Sequence, residues 1–350
     1  MANSTIGTYS IEDLQSVKNA SVLDFGMDKI YRALQQDLDF YNKQVNEQMG
    51  LFCEITTDSA RKYGVSRTHR MTELDELGKT QTKKAVGSSD VFFPLRKYGA
   101  SVGWSHDYMG LASPAELTQE FLAVQAGNSY EMTQQIKKAI FTKENGSSID
   151  PKTQTTLSIK RFVNADSAAI PDFEGVSFSA SEHTHYSGSA TLSSTAVQNT
   201  VDNITEHGHT QGLMIMISKS DASDFSALTG FQPLASNLMI YNATDVTKEM
   251  IDNTDLNNRF IGYFNSIPVW IKQYVPANYL LAIALDGEKP LAFRQFPSPA
   301  MQGLRMVSNN PAYPLITSQF ENWFGIGVNE RTKGACLYFA NATYTSPTIV

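Results

Sequence analysis

Apolar residues recur every three or four positions from Ile30 through Leu34, Leu38, Tyr41 and Val45 to Met49, a period that puts them on one face of a helix. The spacing predicts a helix over residues 27–48. Its charges (Asp28, Lys29, Arg32, Asp37, Lys43 and Glu47) fall mainly off that stripe, so the helix is expected to lie against another surface rather than inside a core. Residues 1–25 are polar and lack a sustained period, and they read as an extended arm. A second helix is announced by Ser113-Pro114-Ala115-Glu116: a serine cap, proline at the first helical position and a glutamate three residues after the cap. Leu117, Phe121, Val124, Ile136, Ile140 and Phe141 carry it to about Lys143, with Gly127 marking a bend or a close contact.

Residues 144–194 are rich in Ser, Thr and Gly, with short alternating runs (TLSIKRFV, VSFSAS) that read as strands and loops. A helix over 195–205 leads into GLMIMIS, whose continuous apolar character suits a buried strand, and a further short helix fits near Asp221–Leu228. The last hundred residues hold successive strand signals: RFIGYF, IPVWIKQYV, YLLAIAL, LRMV, then WFGIGV and GACLYFA on either side of the turn 329–333. In WFGIGV the glycines lie inside a strand pattern, which points to close backbone packing rather than a cofactor loop. No repeat and no low-complexity linker divides the chain, so two lobes are expected to interleave along it.

Residues 54–100 differ from their surroundings, with charges of both signs and, before VFFPL, only three glycines (Gly64, Gly78 and Gly87) and few apolar positions. They read as a long hairpin that cannot bury its own faces, since an isolated two-stranded ribbon is marginal in water. Its charges come in blocks: Arg61, Lys62, Arg67 and Arg70, then Glu73, Asp75 and Glu76, then Lys79, Lys83 and Lys84. One reading is a solvated loop. The other is an intersubunit clamp, in which alternating charge sets register against a partner while each pair adds little affinity.

Composition narrows the function classes. A 350-residue chain with 41% hydrophobic and 18% charged residues is globular, and a net charge of −7 argues against tight gripping of nucleic acid. Cys53 and Cys336 are too few and too far apart for a disulfide framework or a metal knuckle, and are expected as two buried free thiols. No apolar run approaches the ~18 residues of a membrane span. No phosphate loop, dinucleotide fingerprint, GxSxG elbow or HExxH helix is present, so neither an enzyme nor a cofactor is expected. His183 with His185, and His207 with His209, form two HxH pairs of the kind that can chelate a metal. Their Ser/Thr/Gly-rich surroundings favour exposed polar histidines, and no metal is expected.

The order of these segments resembles the major capsid proteins of tailed double-stranded DNA phages, the Hong Kong 97 fold family, over essentially the whole chain. The resemblance rests on an arm, a long loop ending in FFPLRKYGASVGWSHDY, the 113–143 helix, GLMIMISKSDASDFSALTGF followed by IGYFNSIPVWIKQYVPANYLLAIAL, and the closing FENWFGIGVNERTKGACLYFA, similar to that family's last peripheral hairpin. It implies an α+β fold: an arm with its amphipathic helix (1–53), an extended loop (54–100), a peripheral lobe with the spine helix (101–204), an axial lobe (205–290) and a return to the peripheral lobe (291–350). It also implies subunits that assemble into hexamers and pentamers of an icosahedral head, made in the bacterial cytoplasm and present in the virion. Packaged DNA would be contacted non-specifically, and a portal would be a partner. The loop would lie over a neighbouring subunit, and Arg294, at the exit from the axial lobe, would contact a neighbour.

Some relatives carry a fused N-terminal scaffolding segment; here the arm is reached within ~25 residues, too few for a packed domain, so a separate scaffolding protein is expected. Others crosslink Lys to Asn. Lys79, Lys83, Lys84 and Asn341 are available, but no local motif marks a reactive pair, and non-covalent shells are expected. Two alternatives stay open: a nanocompartment shell protein of the same fold, and an α/β enzyme using the HxH pairs as metal ligands.

Overall fold

The computed structural model describes residues 9–63, 71, 73, 74, 76, 78, 89–234, 258–310 and 313–349. Among these, the helices are α1 (Ile11–Ser16), α2 (Val22–Phe25), α3 (Met27–Gly50), α4 (His106–Leu111), α5 (Pro114–Phe141), α6 (Ser194–Thr205) and α7 (Ala222–Ser226). The strands are β1 (Cys53–Thr56), β2 (Ala60–Tyr63), β3 (Ser89–Phe92), β4 (Arg96–Ser105), β5 (Gly146–Ile149), β6 (Thr156–Ile159), β7 (Tyr186–Gly188), β8 (Leu213–Ile217), β9 (Phe231–Pro233), β10 (Asn258–Phe264), β11 (Ile267–Lys272), β12 (Tyr279–Ala284), β13 (Leu291–Gln295), β14 (Arg305–Asn310), β15 (Leu315–Val328) and β16 (Gly334–Tyr338).

The spine helix α5 begins as its sequence dictates. The Ser113 hydroxyl accepts from the Glu116 amide while the Glu116 carboxylate accepts from the Ser113 amide at 2.8 Å, so two otherwise unpaired donors are satisfied. The helix then runs unbroken for 28 residues, ~42 Å at 1.5 Å per residue. Gly127 lies within it with nothing inside 4 Å of where a Cβ would stand, so no close contact accounts for that glycine. At the far end the last carbonyls are met by phenols: Tyr186 donates to Ile140 at 3.0 Å and Tyr344 to Phe141 at 2.7 Å. Helix α3 buries Ile30, Ala33, Leu34 and Leu38 against α5 and the strands beneath it. Polar ties fix it there, with Gln125 donating to Asp37 at 2.6 Å and Tyr41 to the Gln125 carbonyl at 3.1 Å.

The N-terminal segment differs from the expected extended arm. From Ser10 onward it forms α1 and α2, each started by a serine that caps an acidic third residue (Ser10 with Asp13, Ser21 with Asp24), and it buries Leu14 and Val22 completely. Helices of 6 and 4 residues are too short to show a period, which is why only their caps could have revealed them.

Among the described residues, two larger sheets hold most of the strands, and β2-β3 and β5-β6 form separate two-stranded sheets. One runs β1-β13-β15-β14, with β4 added along the long β15 from Leu315 to Phe324; the other runs β7-β16-β12-β8-β11-β10-β9. Strand β12 (YLLAIA) is buried at every position and alternates between two cores: Leu281 and Ile283 face a core shared with Phe293 and Phe324 of the first sheet, while Leu280, Ala282 and Ala284 face α6 and α7. The shared core joins the sheets into one body with α5 between them. The two strands of the closing segment do not form the hairpin that the resemblance implies. β15 belongs to the first sheet and β16 to the second, and the connecting residues 329–333 are all buried between them. VSFSAS forms no strand, and Val176 makes only an isolated bridge to Phe173. Cys53 and Cys336 are both buried free thiols, and burial pushes both pKa values up. Among the described residues no helix is long and apolar enough to cross a membrane.

Candidate assembly interface

The loop read as an intersubunit clamp leaves the body as a two-stranded ribbon. β2 pairs antiparallel with β3, from Ala60 opposite Phe92 to Tyr63 opposite Ser89. Arg61 is tied at the root. Its guanidinium pairs with the Glu54 carboxylate and reaches Asn329 at 3.4 Å, and the Asn329 amide donates to Glu54 at 3.2 Å. The Arg61 hydrogen bond, more than opposing burial, holds the Glu54 carboxyl below its usual range. Lys62 pairs with Asp90 at 2.8 Å across the two strands, with both groups open to solvent. Tyr63 is buried, with the Arg331 guanidinium 5.7 Å from its ring centre.

Between the two strands in sequence, Glu73 and Glu76 are exposed, as are Leu74 and Met71, the latter 100% exposed. Arg67, Arg70, Asp75 and Lys79 lie outside the described residues.

The returning strand is locked by two devices. At the first, β15 passes under residues 92–95 through glycines. A Cβ on Gly325 would stand 2.0 Å from the Pro94 carbonyl oxygen and one on Gly327 3.0 Å from the Phe93 ring, so the close packing read from Gly325-Ile326-Gly327 is what the backbone requires. The second is Arg294. Expected at a neighbour, it is 3% exposed within its own chain, because β13 is flanked by β1 and β15 and its side chain turns inward. It donates to the Phe93 carbonyl at 2.9 Å and to the Asp150 carboxylate at 2.7 Å. Asp150 also accepts from the Thr153 amide at 3.0 Å and its hydroxyl at 3.1 Å. Burial would raise the Asp150 pKa, but these donors outweigh it and hold the carboxyl low.

A second buried arginine was not anticipated. Arg331 is 1% exposed, donating to the Arg161 carbonyl at 2.7 Å, Asn164 at 2.9 Å and Asp166 at 3.1 Å. Asp166 also pairs with Lys160 at 2.7 Å and, against the opposing effect of burial, is held well below the carboxylate range. In sequence these residues are about 165 positions apart, and nothing local announces the partnership.

The histidines are not exposed polar residues. His185 is fully buried, His207 is 7% exposed and His183 is partly covered, and all three turn toward one another beside Glu206 at the end of α6. The pairs are split: His209 faces away and bonds to the Thr332 hydroxyl at 2.9 Å. A cleft of about 510 Å³, lined by Arg61, Tyr63, His207, His209 and Asn329 among others, connects this cluster with the ribbon root.

No protein-family model matches the sequence, and no curated protein does. Solved structures do. A chain of Mycobacterium phage Patience aligns with a TM-score of 0.66 at 19% identity, covering 99% of this chain and 97% of that one. Weaker likenesses include the capsid of a native GTA particle (TM-score 0.48, 13% identity, 83% and 89% covered) and the mature capsid of bacteriophage PhiM1 (0.47, 9%, 83% and 86%). The fold is the α+β Hong Kong 97-like fold that the order of segments resembles.

Proposed function

We propose that this chain is the major capsid protein of a tailed double-stranded DNA phage, a shell-building subunit that acts without catalysis. The observation that carries the reading is the end-to-end likeness to a phage chain, with almost no part of either left over. Three features of the surface support it. Met71 and Leu74, which lie in sequence between the two strands of the ribbon, are exposed apolar side chains. The ten-residue strand β4 pairs only with β15 among the described residues, and most of its positions are exposed, as in an edge completed by another copy. Other large apolar groups stand open on the single chain: Leu111 is 86% exposed, Tyr313 78% and Leu51 68%.

In this reading the subunits form hexamers and pentamers of an icosahedral head, held non-covalently and found in the virion. A portal, a separate scaffolding protein and packaged DNA are the partners. Arg61 and Lys62 set the ribbon's direction at its root, and Glu73, Asp75 and Glu76 with Arg67, Arg70 and Lys79 supply the register against a neighbour. Expression of the chain alone and with its neighbouring genes, followed by sedimentation and analysis of particle contents, tests it. Large isometric particles that enclose DNA when the packaging genes are present are the expected result. Particles filled with one enzyme instead would favour the nanocompartment, and small discrete oligomers under every condition would exclude a shell.

A further inference from the structure

We propose that His183, His185 and His207, with Glu206 as fourth donor, form a structural binding site for one divalent transition-metal ion, with zinc the best fit. This inference does not depend on the capsid reading. The three Nε2 atoms form a nearly equilateral triangle with sides of 3.2, 3.0 and 3.1 Å. The ring centres are 5.1 Å apart in every pair, wider than the nitrogens by a similar margin all round, so each ring turns its Nε2 toward a common point. An ion at the ~2.0–2.1 Å of a zinc–imidazole bond from all three would sit about 1 Å out of their plane, as in a tetrahedron whose fourth corner is open. A Glu206 carboxylate oxygen lies 3.3 Å from the His183 Nε2, and all four donor atoms fall within 4.8 Å of one another, which supplies that corner.

Protonation chemistry favours the same conclusion. His185 Nδ1 faces the Gly334 carbonyl at 2.8 Å, a partner that can only accept, so the proton resides on Nδ1 and Nε2 presents a bare lone pair. A ligating histidine is commonly oriented in this way by the bond from its other nitrogen. Three neutral imidazole nitrogens at these separations cannot all be satisfied by hydrogen bonds to one another, whereas one cation satisfies all three. Three imidazoles and one carboxylate suit zinc and its neighbours in the first row rather than calcium or magnesium, which take oxygen donors.

The placement gives such an ion a structural task. His185 immediately precedes the edge strand β7, His183 closes a long loop with little regular structure, and Glu206 and His207 directly follow α6. The Phe178 ring covers the cluster, 4.1 Å from the His207 ring and 5.2 Å from that of His183. With four protein donors no position remains for substrate, so the ion would staple loop, strand and helix rather than catalyse.

The test uses protein carrying a tag without histidines, grown with added zinc and purified without chelator. Elemental analysis is expected to find about one zinc per chain. The paired substitution His183→Ala with His207→Ala is expected to reduce this at least tenfold. Phenanthroline should lower the thermal midpoint of the wild-type protein, added zinc should restore it, and neither should move the midpoint of the folded variant. If the variant does not fold, cobalt titration of the stripped wild-type protein decides, a 1:1 end point with four-coordinate absorption supporting the site. Wild-type protein that holds no metal and whose midpoint ignores both chelator and zinc would overturn it, as would undiminished zinc in the folded variant.

Discussion

The phenol of Tyr344, six residues before the end of the chain, donates to the carbonyl of Phe141 at 2.7 Å, so the C-terminal tail closes the last turn of the spine helix. Tyr186 does the same for Ile140 from the edge strand β7, and the two rings meet edge to face at 5.0 Å. A helix end buried without glycine needs such partners, because its final carbonyls find none within the helix.

Tyr344→Phe keeps the ring and removes only the donor, leaving a buried carbonyl unpaired. A loss of about 1–2 kcal/mol of subunit stability is expected in urea unfolding. A variant as stable as the wild type would show that the tail does not hold the helix.

Arg294→Leu should cost more. It would leave the Asp150 carboxylate buried, with its Thr153 donors but without its counter-charge, for which about 3–5 kcal/mol is the usual penalty. The double variant Arg294→Leu with Asp150→Leu is expected to recover part of that loss. No recovery would mean that the pair does not act as a unit.

Asp150 and Asp166 also set an acid limit. Both carboxyls are held below the ~3.9 of an unfolded aspartate, so their stabilisation is complete above that value and lost as the pH falls through their lower folded values. Melting of Asp150→Asn with Asp166→Asn should therefore start lower at pH 7 and fall less steeply than the wild type below pH ~4. Parallel curves for the two proteins would contradict this.

Glu73→Gln, Asp75→Gln and Glu76→Gln together should leave the subunit's melting within about 0.5 kcal/mol of the wild type, because exposed ion pairs contribute little to stability. Assembly, read by sedimentation, is expected to fail or slow. Normal shells from this variant would remove the charge-register role of the ribbon.

The sequence made legible what is local or periodic. α3 and α5 appear within two residues of the expected bounds, since an apolar stripe defines one and a capping box the start of the other. GLMIMIS and YLLAIAL are adjacent strands of the second sheet, as buried apolar runs should be. Long-range choices were hidden. WFGIGV and GACLYFA flank a turn, and the resemblance implied a hairpin there, yet Arg331 and Lys333 in that turn are recruited by Asp166 and by the Glu288 carbonyl, and the strands part to different sheets. The histidine pairs gave half a signal: HxH spacing brought His183 and His185 together, but His207, 22 residues from His185, reaches them only once α6 packs on β16 and β12.

Cryo-electron microscopy of the assembled particle decides whether this subunit builds a shell. A closed icosahedral shell is expected in which the ribbon bearing Met71 and Leu74 lies across an adjacent subunit and β4 meets another copy. A subunit that stays single, with that ribbon folded back onto its own body, would contradict it.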